Sequence, residues 1–317
     1  MTHSDAAWDT VKRHMLLSQR SRRILLLVPC GLVIFACSSP GGGPAPSESD
    51  ALGGAPVLLA AGDIATCGSR GDEITATLIE PIPGTVATLG DNVYQKGTAE
   101  EFAKCYSPTW GRFKNRTRPS PGNHDYSTPG AAPYFAYFGA AAGDPTKGYY
   151  SYDLGTWHII VLNSNCAEVG GCEADSPQER WLRSDLASHP NLCTLAYWHH
   201  ARFSSGQHGN QETLATFWRD LDEYEAEVVL SGHDHDYERF APQDADGNAD
   251  PAGVREFVVG TGGGPQLQFS EIADNSEARQ AGTHGVLKLT LSPDQYDWEF
   301  VAEPGADFRD SGSQSCH

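Results

Sequence analysis

The sequence predicts one α/β domain running from Val57 to the end of the 317-residue chain. Two observations predict it: short apolar runs of strand length alternate with segments of helical periodicity, and no internal repeat or low-complexity break divides the chain after Val57. Strands are expected at Val57–Ala61, Val86–Leu89, Tyr149–Leu154, Trp157–Leu162, Thr194–Trp198, Val228–Leu230 and Glu256–Val259, each an apolar run bounded by turn residues. Val286–Leu291 and Tyr296–Val301 form a last pair, joined by the turn Ser292-Pro293-Asp294-Gln295. A helix is expected over Pro177–Ser188, where Ser176 caps, Pro177 takes the first position and Glu179 completes a capping box. A second is expected over Gln211–Tyr224, with Leu214, Phe217, Trp218 and Leu221 on one core-facing stripe.

The chain carries 22 Lys plus Arg against 41 Asp plus Glu, a formal net charge of −19. That balance offers no broad basic surface for a nucleic-acid backbone and excludes sequence-blind nucleic-acid binding. A phosphate-bearing substrate would need local cations to approach. Ile24–Ala36 is apolar, follows Arg20, Arg22 and Arg23, and is too short to cross a bilayer, so residues 1–36 are expected to be an export signal. Ile34-Phe35-Ala36-Cys37 resembles a bacterial lipobox, which implies a lipid on Cys37 and attachment to the bacterial cell surface; plain signal cleavage and secretion is the alternative. Residues 37–56 are rich in Gly, Pro, Ser and Ala and are expected to be a flexible tether. Beyond Cys30 and Cys37 six cysteines remain, an even number that allows three disulfides in an exported chain. Cys166 and Cys172 flank a short loop with two glycines and are expected to pair.

Several expected strands run into metal-competent side chains: Gly62-Asp63, Gly90-Asp91, His199 and Gly232-His233, with Gly122-Asn123 similar to these. Ligands in open α/β sheets bind beyond the carboxyl ends of the strands, so these distant residues would converge there. Each pair alone is weak, because an Asp after a strand commonly caps a helix. His233-Asp234-His235 is stronger, since two alternating imidazoles after an apolar strand have no routine packing role.

Taken in order, Gly62–Ala65 (G-D-I-A), Gly90–Tyr94 (G-D-N-V-Y), Gly122–Asp125 (G-N-H-D), Trp198–His200 (W-H-H) and Gly232–His235 (G-H-D-H) resemble the five signature blocks of the calcineurin-like metallophosphoesterases. Tyr94 points within them to the purple acid phosphatases, in a compact form without an N-terminal β-domain. The resemblance implies mixed β-sheets sandwiched by helices in four layers. It implies two metal ions: Fe(III) held by Asp63, Asp91, Tyr94 and His235, and Fe, Zn or Mn held by Asp91, Asn123, His199 and His233, with Asp91 bridging. Ala65 stands where related enzymes outside the purple group commonly have a His ligand. His124 and His208 match residues that bind phosphate or donate a proton, although Ala201 replaces the Pro usual in the loop before His208. The implied function is hydrolysis of phosphate monoesters by attack of a metal-bound hydroxide. A phosphodiesterase on the same centre and a non-catalytic metal- or phosphate-binding lipoprotein are the alternatives. Strand alternation turns His200 away from His199, and Gly260–Gly264, lacking the Lys-Ser/Thr of a P-loop, is expected to be a sharp structural turn.

Overall fold

The computed structural model describes residues 54–190 and 193–317; the expected export signal, Cys37 and the tether up to residue 53 lie outside the described residues. In chain order the strands are β1 (Val57–Ala61), β2 (Ala65–Thr66), β3 (Thr85–Leu89), β4 (Val93–Tyr94), β5 (Thr117–Ser120), β6 (Tyr150–Leu154), β7 (Trp157–Val161), β8 (Cys193–His200), β9 (Val228–Gly232), β10 (Tyr237–Phe240), β11 (Arg255–Val259), β12 (Ser276–Gln280), β13 (Gly285–Ser292), β14 (Gln295–Ala302) and β15 (Ser311–Ser315). The longer helices are α1 (Gly71–Ile79), α2 (Ala132–Phe138), α3 (Pro177–Ser188) and α4 (Ala215–Glu223).

One sheet has the order β15-β14-β13-β1-β3-β5 and the other β12-β10-β11-β9-β8-β7-β6. Within the first, β1, β3 and β5 are parallel and β13 to β15 antiparallel; within the second, β7, β8, β9 and β11 are parallel and the remaining pairings antiparallel. Alternation along β8 shows how the layers are held. Leu195 and Tyr197 point into a core shared with Leu59, Val86 and Val228, whereas Ala196 and Trp198 point to the opposite face, under Leu182 and Leu186 of α3 and Phe217, Trp218 and Leu221 of α4. On the other side α1 packs on β13, and Trp110 Nε1 donates to Thr75 Oγ1 at 2.9 Å. The result is helices, two mixed sheets and helices again, the four-layer arrangement the resemblance implied.

Local chemistry accounts for the departures from the expected elements. β5 carries Pro119, and it lies on a sheet edge, where a missing N–H costs no ladder bond. At α3 the Ser176 hydroxyl accepts from Glu179 N at 3.3 Å, but the Glu179 carboxylate takes Asp175 N at 2.9 Å rather than the cap's own N–H, so only half of the expected capping box forms. The Gln211–Tyr224 helix starts as a 3-10 turn over Glu212–Leu214 and becomes α-helical at Ala215, with all four residues of its apolar stripe fully buried. β8 extends to His200, so His199 lies inside the strand rather than after it. The hairpin turn narrows to Pro293-Asp294, with Ser292 paired to Gln295. Cys166 pairs with Cys172 as expected, and Cys67–Cys105 and Cys193–Cys316 complete three disulfides. Among the described residues no helix is long and apolar enough to cross a membrane.

Candidate metal centre

Five parallel strand ends meet at one edge of the two sheets. β1 delivers Asp63, β3 Asp91, β5 leads through Pro121-Gly122 to Asn123, β8 ends in His199-His200, and β9 leads into His233 and His235. Asp63, Asp91 and His233 all adopt positive φ (59°, 47° and 70°), a conformation that non-glycine residues hold only when their surroundings over-determine it. The adjoining glycines are required by close approach of neighbouring chain segments. A Cβ on Gly122 would sit 2.1 Å from Asp91 Oδ1, one on Gly90 2.6 Å from the His199 ring, and one on Gly232 2.6 Å from Asp63 Oδ2.

The seven expected ligands converge into two clusters of donor atoms, one of three and one of four. In the first, Tyr94 Oη lies 2.6 Å from Asp63 Oδ1 and 3.1 Å from His235 Nε2, and the latter two are 3.2 Å apart. In the second, His199 Nε2 lies 3.0 Å from Asn123 Oδ1, 3.2 Å from His233 Nδ1 and 3.4 Å from Asp91 Oδ2. Asp63, Asp91 and His199 also form one compact group, so Asp91 sits where the two clusters meet. Donors about 3 Å apart suit ligand bonds of about 2.0–2.2 Å to a single ion.

The imidazoles are oriented for that task. His199 Nδ1 donates to the Leu89 carbonyl at 2.8 Å and His235 Nδ1 to the Pro265 carbonyl. A carbonyl can only accept, so in the neutral ring the lone pair is on Nε2, which faces the other donors of its cluster. Carboxylate, phenol and amide oxygens with imidazole nitrogens form a donor set that fits Fe, Zn or Mn.

Burial dominates the electrostatics and the neighbouring charges then decide the sign. Burial alone would lower both His199 and His235, yet Asp91 holds the first up at about 9 and Asp63 holds the second up at about 9. Burial would raise Asp91, but His199 and His124 hold it below the carboxylate range. His233 is pushed far down by burial and by His199, His200 and His208. Tyr94 is pushed well above a free phenol by burial and by the carboxylates of Asp63 and Asp91.

His124 and His208 flank this group. His124 N donates to Asp91 Oδ1 at 2.8 Å, its Nδ1 donates to the Gln95 carbonyl at 2.7 Å, and its Nε2 lies 3.9 Å from Asp91 Oδ2. His208 is exposed, and its ring centroid lies 4.1 Å from that of His233. His200 departs from expectation. A register irregularity between Tyr197 and His200 breaks the alternation of β8, and the His200 ring comes within 4.4 Å of His233 while its Nδ1 meets Ser164 Oγ at 2.7 Å. It therefore lines the centre instead of facing away, and burial with the neighbouring His199 lowers it to about 3.

Several supporting residues escaped sequence reasoning. Asp125 Oδ2 accepts from Gly122 N and from Asn92 N and Nδ2, bracing the Asp91 and Asn123 loops; burial and the Asp91 carboxylate push it up to about 7. Glu256, pushed up to about 8 by burial, accepts from the N–H groups of Arg202 and Phe203 just after β8. Asp234, between the two histidines, turns its carboxylate away from the centre toward Ser204 and His208 N. The G-D-N and G-N-H-D blocks contain Asn92 and Asp125, but nothing local marks their partners. Gly260–Gly264 is a structural turn, as expected: Gly262 N donates to Gly62 O at 2.9 Å and Gly264 N to Asp63 O at 2.7 Å, which fixes the loop carrying Asp63.

Comparison with known proteins agrees with this geometry. Residues 53–237 match the family model for calcineurin-like phosphoesterases. Purple acid phosphatase 15 of Arabidopsis thaliana is 27% identical over 255 residues, covering 69% of this chain and 47% of the relative. Probable inactive purple acid phosphatase 1 of the same plant is 24% identical over 260 residues, covering 68% of this chain and 41% of that one. The chain thus spans less than half the length of these curated relatives. The solved purple acid phosphatase from yellow lupin (Lupinus luteus) seeds shares the fold, with a TM-score of 0.64 at 19% identity over 82% of this chain and 53% of the lupin chain. A family match over more than half of the sequence, on a fold that gathers Asp and His side chains at its strand ends, makes this protein a member of the calcineurin-like phosphoesterases, similar within them to the purple acid phosphatases.

Proposed function

We propose that the protein is an exported phosphatase that hydrolyses phosphate monoesters at a dinuclear centre. The observation that carries this reading is the pair of donor clusters meeting at Asp91, with His124 and His208 beside them and outside both. A site that only bound metal would need no such flanking imidazoles.

Asp63, Asp91, Tyr94 and His235 would hold one ion, Fe(III), and Asp91, Asn123, His199 and His233 would hold the other, Fe, Zn or Mn. When bound, the two cations neutralise the anionic ester and lower the pKa of the attacking water. Fe(III) is assigned beside Tyr94 because a directly bound trivalent cation favours the phenolate that burial and two carboxylates otherwise oppose. The chain's own side chains orient the ester and manage protons. His124 Nδ1–H is committed to the Gln95 carbonyl, so any further proton sits on Nε2, on the side of Asp91. His208 is exposed, with its ring tilted against that of His233, and would hand a proton to the departing alkoxide. Three disulfides support an oxidising compartment, and the charged-then-apolar leader ending in Cys37 supports lipid attachment to the cell surface.

A side-by-side assay on p-nitrophenyl phosphate and bis(p-nitrophenyl) phosphate tests the reading. Wild type is expected to favour the monoester, and His199→Ala to lose metal together with turnover. Preference for the diester would reassign the centre to a phosphodiesterase.

A further inference from the structure

Along Gly232-His233-Asp234-His235 the two imidazoles face the metal centre while Asp234 is buried on the opposite side, 1% exposed. Among the described residues its carboxylate has no cationic partner. Instead the loop after β8 wraps around it: Oδ2 accepts from Ser204 Oγ at 2.6 Å, and Oδ1 accepts from the backbone N–H of His208 at 2.9 Å. Ser204 Oγ accepts in turn from Gly206 N at 2.9 Å, and a Cβ on Gly206 would lie 2.1 Å from Asp234 Cγ. No apolar side chain of Ser204, Ser205 or Gly206 anchors the segment before His208. Hydrogen bonds do, because a charge-assisted bond to a buried carboxylate is about twice as strong as a neutral one.

We propose that Asp234 is the positioning residue for His208, tying the backbone of that histidine to the same four-residue turn that carries the proposed ligands His233 and His235. The inference rests on reading His208 as the proton donor. It explains why an acid stands between two metal-competent histidines although its oxygens are spent on a loop. Glu238, two strand-alternate positions further on, grips the next residue of that loop, accepting from Ser205 N at 2.8 Å. Asp234 is the acid that reaches His208 itself.

The test uses metal-loaded full-length protein, with turnover measured on glycerol phosphate, whose alkoxide needs a proton, and on p-nitrophenyl phosphate, whose leaving group does not. Asp234→Ala is expected to retain its metals and lose roughly 10- to 100-fold on glycerol phosphate, with a much smaller loss on the aryl ester. Asp234→Asn, which keeps an acceptor for His208 N, should restore most of that loss. In a His208→Ala background Asp234→Ala should have no further effect. Equal losses on both esters, or a full additional loss in the His208→Ala background, would overturn the proposal. If Asp234→Ala fails to fold, Ser204→Ala removes one hydroxyl from the same clamp and must show the same leaving-group dependence at smaller size; its absence would also overturn it. His208→Ala on its own separates the two layers. Equal loss on both esters there removes the proton-donor reading, whereas dependence in His208→Ala without dependence at Asp234 removes only the positioning.

Discussion

Replacing Gly122 with Ala adds one methyl group 2.1 Å from Asp91 Oδ1, 2.2 Å from Asp91 N and 2.8 Å from Asp91 Cγ. Ordinary carbon–oxygen contact lies near ~3.5 Å, so the Asp91 and Gly122 segments must part by about 1 Å. Neither can do so freely. Asp91 Oδ1 accepts from His124 N at 2.8 Å, Asp91 O accepts from Ile64 N at 3.0 Å, and Gly122 N donates to Asp125 Oδ2 at 2.9 Å. Overpacking of this kind costs about 1–3 kcal/mol, a tolerable loss for a domain with two sheets and three disulfides. The functional cost is larger, because a displacement of about 1 Å at the proposed shared ligand exceeds the ~0.5 Å tolerance of a working site and is worth about 10²-fold in turnover. Gly122→Ala should therefore fold, melt a few degrees lower, bind less metal and hydrolyse p-nitrophenyl phosphate about 10²-fold more slowly. The assay is metal content, melting temperature and turnover on one preparation. Wild-type occupancy and turnover would refute the claim that Asp91 holds both ions in the geometry described.

Tyr94→Phe should abolish the visible phenolate-to-iron absorption of the oxidised protein, and a colourless, fully active wild type containing only zinc or manganese would remove the iron assignment. His158 is buried with Nδ1 on Asp153 and Nε2 on Asp185, and His189 stacks on its ring; burial would lower it, but the two carboxylates raise it above its ordinary value. Its contribution is fully present below the unfolded value near ~6.5 and is lost as pH rises through the higher folded value. His158→Gln should thus destabilise by about 1–3 kcal/mol in acid and by less in alkali, read from melting temperature against pH; a pH-independent difference would contradict the assignment. Cys37→Ser should release the protein from bacterial membranes with activity intact, and a mature N-terminus elsewhere, found by mass spectrometry, would rule out the anchor.

The strand-end residues were legible because each lies in a short block, a Gly-ligand pair or a histidine following an apolar strand, a signal carried entirely by neighbours in sequence. Asp63, Asp91, Asn123, His199, His233 and His235 are of this kind, and the fold brings them together as that pattern implied. What escaped depends on partners far along the chain. Asp234 acts on Ser204 and His208, and Asn92 is tied to Asp125. His200 was misplaced because strict alternation assumes a regular ladder, and β8 has an irregularity just before it. β15, Ser311–Ser315, has no apolar signal at all; it exists because β14 presents an unpaired edge and because the Cys193–Cys316 disulfide ties the C-terminus to β8.

The central claim is that two metal ions in one site carry out the hydrolysis, and titrating metal into chelator-treated protein while following p-nitrophenyl phosphate turnover tests it most directly. Activity should be negligible in the stripped protein, rise with added metal and saturate at two ions per chain. Full turnover in the stripped protein, or saturation at a single ion, would contradict it.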